Sequence, residues 1–85
     1  SAFCFGDVYT RKGLDLRTRE ILTFCIISSL GGCESQVKSH VQANFNVGND
    51  ETTMIEAITQ CLPYMGFPRT LNALGCVAEV AGQQK

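Results

Sequence analysis

From Leu16 onward the apolar positions recur with helical spacing, and no window alternates apolar and polar residues well enough to predict a strand. The strongest run is "LDLRTREILTFCIISSLGG". In it Leu22, Cys25, Ile26 and Ser29 fall at i, i+3, i+4 and i+7, while Phe24, Ile27 and Leu30 carry apolar character around the cylinder. A helix apolar on most sides is expected at the centre of a fold. It is expected to start at Asp15, whose carboxylate can accept orphan N–H groups of the first turn, and to stop at Gly31-Gly32.

Three more helices follow. The second is expected from Cys33 or Glu34 to Phe45, with Val37, Val41 and Phe45 as its apolar seam and Gly48 as its end. The third starts after Asp50 and runs through Met54, Ile58, Cys61 and Leu62, with Pro63 and Gly66 making its far end irregular or kinked. The fourth begins near Pro68, carries Leu71, Leu74, Val77, Ala78 and Ala81, and frays at "AGQQK". The opening residues up to Gly13 have no period. The pattern predicts one all-α domain, residues 1–85, built of helices with short connections.

Composition adds an expectation about assembly. The chain has 85 residues, of which 45% are hydrophobic and only 18% charged. A domain this small buries roughly 60–65% of its unfolded surface. The apolar excess therefore predicts burial against further copies of the chain, a homo-oligomer.

The net charge is −1, with no basic stripe to follow a phosphate backbone, so nucleic acid is not an expected partner. The longest apolar run, "ILTFCIISSL", is about half of the ~20 residues that span a bilayer, so no membrane partner is expected. No charged segment leads into a cleavage site, and a chain that opens without Met reads as trimmed or partial.

Five cysteines are present, with no C-x-x-C spacing, and the single histidine adds little, so no metal site is expected. The composition predicts a reducing, cytoplasmic setting with mostly free thiols. Cys25 and Cys76 lie in apolar patterns and are expected to be buried and inert.

Candidate chemistry centres on "GGCESQVKSHV". Cys33 and His40 are two helical turns apart on one face, ~10 Å along the axis, with Gln36 between them and in reach of the imidazole. Cys33, at a helix start, is a candidate for a reactive thiol. Glu20 is the candidate partner of His40, because a carboxylate orients an imidazole. Across the Gly31-Gly32 turn the two residues differ in position by three, ~4.5 Å of helix axis, which two side chains can bridge. From these residues alone the bland readings stand beside the functional one: a surface or satisfied core histidine, an inert helix-start cysteine, and Glu20 paired with Arg17 or Arg19.

The order "GLDLRTREILTFCIISSLGG", "QVKSHVQANFNVG", "IEAITQCLPYMGFPRTLNAL" resembles the carboxymuconolactone decarboxylase family, which shares its helical fold with alkylhydroperoxidase D-like proteins. The resemblance runs from Phe5 to about Val80 and implies an all-α fold assembled as trimers or hexamers. Relative to the family the chain looks short at its N-terminus. The resemblance implies that Glu20 is the family's glutamate and His40 its histidine, the proton donor of the decarboxylases. In the peroxidase branch a C-x-x-C precedes this histidine. Cys33 falls on the first cysteine and Gln36 on the second, which removes the vicinal pair. "LPYMGFPRTLNAL" looks like the segment walling the pocket, with Tyr64 and Arg69 as further substrate-binding candidates.

The leading expectation is a cofactor-free decarboxylase acting on a small carboxylated lactone or related ring acid. The alternatives are a thiol-dependent peroxidase or oxidoreductase using Cys33, and a non-catalytic oligomeric binding protein.

Overall fold

The computed structural model describes residues 13–84. Among these residues it is all-α, with helices α1 (Leu16–Leu30), α2 (Glu34–Asn46), α3 (Glu51–Met65) and α4 (Phe67–Gln83). Short connections make α1–α2 and α3–α4 into hairpins that pack on one another, with α2 also against α4. The core lies between them, formed by Phe24, Val37, Val41, Met54, Ile58 and Val77, with further small side chains from α4. The expected lead-in before Gly13 and the first cysteine, Cys4, lie outside the described residues.

Helix boundaries follow local chemistry. Asp15 and Asp50 accept from the main-chain N–H of Thr18 and Thr53, each at 2.8 Å, and so cap α1 and α3. Those bonds favour the ionised carboxylates and hold both acids below their ordinary range. α2 ends in a Schellman motif: Gly48 N–H bonds the Phe45 carbonyl at 3.1 Å and Asn49 N–H the Asn44 carbonyl at 2.9 Å. Gly48 supplies the positive φ, 95°, that this motif requires.

Two expected ends move. α3 continues helically through Pro63 to Met65, because a proline in the last turn deletes one hydrogen bond and Gly66 N–H closes the end on the Leu62 carbonyl at 2.9 Å. α4 does not fray at Ala81. It persists to Gln83, where the amides of Gln84 and Gln42 exchange hydrogen bonds of 2.7 and 3.3 Å.

The larger correction concerns α1. Leu22, Ile26 and Ser29, expected on the buried face, are exposed, and so is Leu30. The face turned inward carries Glu20, Phe24 and Ser28, with Arg19 beside them. Residues two apart on a helix are ~200° apart, so Leu22–Ile26–Leu30 is the opposite stripe. α1 is thus apolar toward solvent and partly polar toward the core of its own chain. Along α4, Leu71 and Ala78 also point outward, while Val77 is buried.

Candidate active site

Glu20 is set in the second turn of α1, whose start is fixed by Asp15, and His40 in the second turn of α2. Their helices lie side by side because the connection between them is only three residues, Gly31 to Cys33. His40 Nδ1 donates to Glu20 Oε1 at 2.6 Å. The length is that of a charge-assisted bond, and both partners are buried, Glu20 at 2% exposure and His40 at 9%. The alternative pairing of Glu20 with Arg17 is not what the fold builds. Arg17 reaches away, donating to the Gly48 carbonyl at 3.1 Å and to Asn49 Oδ1 at 3.4 Å.

Two asparagines that sequence reasoning passed over hold this pair in register. Asn44, fully buried, donates from its amide to the Glu20 carbonyl at 3.1 Å and to the His40 carbonyl at 2.8 Å. Asn49 donates to Asn44 Oδ1 and to the Arg17 carbonyl, both at 2.9 Å. Each amide ties α1 to the α2 end, at the level where Glu20 meets His40. The available signal was "HVQANFNVGN", in which Asn44 lies one helical turn after His40.

The remaining candidates lie elsewhere. Gln36, expected to touch the imidazole, is exposed while His40 is buried, so the Cys33–Gln36–His40 stripe does not share one environment. Cys33 is half-buried, and its thiol donates to the Ile27 carbonyl at 3.2 Å. Tyr64 is 92% exposed. Arg69 lies over Gly31, where an added Cβ would stand 2.9 Å from its Nε. Gly31 is eleven residues along α1 from Glu20, ~16 Å of axis. Tyr64, Arg69 and Cys33 therefore gather at the turn end of the first hairpin, apart from Glu20 and His40.

Two concavities lie at that turn end. One, of about 20 Å³, is lined by Cys33, Cys76 and Arg69 among others. The second is an open cleft of about 520 Å³ lined by Cys25, Cys61, Tyr64 and Arg69 with Ile26 and Met65. Neither includes Glu20 or His40. Cys76 is buried as expected, and burial raises its thiol pKa. Cys25 is only half-buried, contrary to expectation, because α1 is rotated to hide Phe24 instead. Burial first, and then the adjacent Cys61 sulfur, push its thiol up to about 12.

The model of the carboxymuconolactone decarboxylase family matches residues 1–79. The chain belongs to the carboxymuconolactone decarboxylase family. It is similar to the 4-carboxymuconolactone decarboxylase of Acinetobacter baylyi, with 34% identity over 80 residues, covering 94% of this chain and 59% of that protein. It is also similar to the "Uncharacterized 15.0 kDa protein in nqo9-nqo10 intergenic region" of Paracoccus denitrificans, with 30% identity over 81 residues, 94% of this chain and 60% of that protein. The chain thus spans about three-fifths of the curated relatives it matches. Family membership agrees with the all-α hairpins and with the resemblance carried by the "RE", "QVKSH" and "GFPRT" segments.

Proposed function

We propose that this family member decarboxylates a small carboxylated lactone or related ring acid without a cofactor, with His40 as proton donor and Glu20 as its positioning partner. The observation that carries the reading is the buried 2.6 Å bond from His40 Nδ1 to Glu20 Oε1. With Nδ1 directed at the carboxylate, the tautomer and plane of the ring are set and Nε2 is the nitrogen that exchanges a proton with substrate. A carboxylate conjugated to a carbonyl loses CO2 when its C–C bond electrons move into the π-system. The resulting enolate carbon takes the Nε2 proton, and solvent later restores it. Such general-acid help is typically worth ~10²–10⁴-fold in rate. Glu20 balances the imidazolium before and during transfer.

The relative from Acinetobacter supports 4-carboxymuconolactone as the first substrate to try. The proposal includes a homo-oligomer, a trimer or hexamer, formed through the outward stripe Leu22, Ile26 and Leu30. Assembly would bring surfaces of a second copy against residues that one chain keeps apart. The test is CO2 release from 4-carboxymuconolactone by the native assembly, compared with His40→Gln. Turnover abolished by this substitution, with helicity and assembly intact, supports the reading. Equal turnover in both proteins overturns it.

A further inference from the structure

The smaller concavity at the turn end, of about 20 Å³, has in its wall a serine whose hydroxyl the fold leaves unpaired. Ser28, in the last turn of α1, is 4% exposed, and its Oγ is buried with no hydrogen-bond partner among the described residues. The next residue shows the usual alternative, since Ser29 Oγ donates back to the Ile26 carbonyl at 2.7 Å. A buried polar atom without a partner is uncommon, and it points to an occupant that the chain itself does not supply.

Two further elements bring donors to the same cavity. On α4, Arg69, Asn72 and Cys76 fall at i, i+3 and i+7 and all line it, so one face of that helix meets the glycine turn. Gly31 admits the guanidinium, because an added Cβ would stand 2.9 Å from Arg69 Nε. The start of α2 forms another wall. Aspartates cap α1 and α3, whereas Cys33 makes no side-chain capping bond. The first-turn N–H groups of α2 and the positive end of its dipole are thus left to another acceptor. The two thiols in the wall are directed at carbonyls, Cys33 at Ile27 at 3.2 Å and Cys76 at Glu34 at 3.9 Å. Glu34 is the one acid in the lining, and its side chain is exposed, where solvent screens its charge.

We propose that this cavity binds one monatomic anion of the chloride class, held by the Ser28 hydroxyl, the Arg69 guanidinium, the Asn72 amide and the first-turn N–H groups of α2. A volume of about 20 Å³ admits a single water-sized particle and is too small for a carboxylate or phosphate. A guanidinium and main-chain N–H groups only donate, so they offer nothing to the hydrogens of a water, whereas an anion accepts from every group named. Neither Glu20 nor His40 lines the cavity, and neither do Leu22, Ile26 and Leu30. The site is therefore separate from the proton donor and from the outward stripe of α1. The ion joins the α1–α2 turn to α4, so its binding stabilises the folded chain by mass action.

The test is the NMR linewidth of chloride with the native protein, titrated against gluconate at constant ionic strength, together with urea midpoints in the same solutions. The expected result is a protein-dependent broadening that bromide displaces, and a midpoint that rises as chloride replaces gluconate. Ser28→Ala should weaken chloride binding by about ten-fold, the scale of one hydrogen bond to a charged group. Arg69→Gln, at an exposed position, should weaken it by about two- to five-fold, the scale of one solvent-screened charge. Absence of protein-dependent broadening overturns the site and leaves the Ser28 hydroxyl to a water. Broadening that both substitutions leave unchanged places the ion elsewhere and overturns it equally.

Discussion

Asn44 holds Glu20 by its backbone rather than by its carboxylate: the amide donates to the Glu20 carbonyl at 3.1 Å while also donating to the His40 carbonyl at 2.8 Å. One side chain therefore sets the relative height of α1 and α2 where the acid–base pair forms. Asn44→Ala removes both bonds and leaves Asn49 without its Asn44 Oδ1 acceptor. We expect a loss of about 1–3 kcal/mol in urea denaturation, the scale of buried hydrogen bonds left unmade. We also expect kcat to fall more than KM rises, since the pair would lose registry before it loses substrate.

Glu20 and His40 should behave as one unit in kinetics. His40→Gln is expected to reduce kcat/KM for decarboxylation by ~10²–10⁴-fold. Glu20→Gln should cost less than His40→Gln, because it leaves the imidazole in place. The double variant should be no slower than His40→Gln alone. Steady-state rates of the three variants check this, and a multiplicative double effect would sink the coupling.

The outward stripe of α1 makes a prediction about assembly. Ile26 is 59% exposed and Leu30 67% exposed in the single chain. Ile26→Lys places a charge in the proposed interface and should convert the native assembly to a smaller species in sedimentation, with helicity kept. Thr52→Lys, at an exposed position on the first turn of α3, serves as the control and should leave the sedimentation coefficient unchanged.

Cys25 gives a pH dependence with a definite sign. Its folded pKa is raised from 9.0 to about 12, by burial first and the Cys61 sulfur second. The folded chain therefore holds this proton more tightly than the unfolded chain. The contribution is fully present below about pH 9 and is lost as pH climbs toward 12. Urea midpoints of the native protein should fall across that window more steeply than those of Cys25→Ala. Parallel curves would rule the effect out.

Gly31 ends α1 with φ 76° and ψ 161°, a region essentially reserved for glycine. Gly31→Ala also brings a Cβ to 2.9 Å from Arg69 Nε, and that flexible side chain must swing aside. Backbone strain of ~1–3 kcal/mol is expected in thermal or urea unfolding.

Legibility in the sequence depended on whether a signal was local. Asp15, Asp50, Gly31 and Gly48 marked helix ends because each acts on the main chain within a few residues of itself. The Glu20–His40 contact was also readable, since a three-residue connection leaves little freedom in how two helices align. The facing of α1 was not. Its apolar residues outnumber its polar ones, and spacing cannot say which stripe meets this chain and which is left outward. The inward stripe holds Glu20 because its carboxylate serves a contact across the hairpin. Gln36 misled for a related reason: its spacing from His40 is right, yet burial depends on what lies opposite, and one turn nearer the start of α2 it is exposed. Asn44 and Asn49 were passed over, because their partners on α1 lie far away in the chain.

The first hairpin is fastened at both ends, by the glycine turn on one side and by the amides of Asn44 and Asn49 on the other. Fraying from either end is therefore opposed, and the hairpin should open as a single unit in hydrogen exchange. The main-chain amides around Glu20 and His40 should then share one opening free energy, well above that of the α4 end. The acid–base pair would be made or lost in one step, with no partly assembled form in which the imidazole wanders while its helix stays closed.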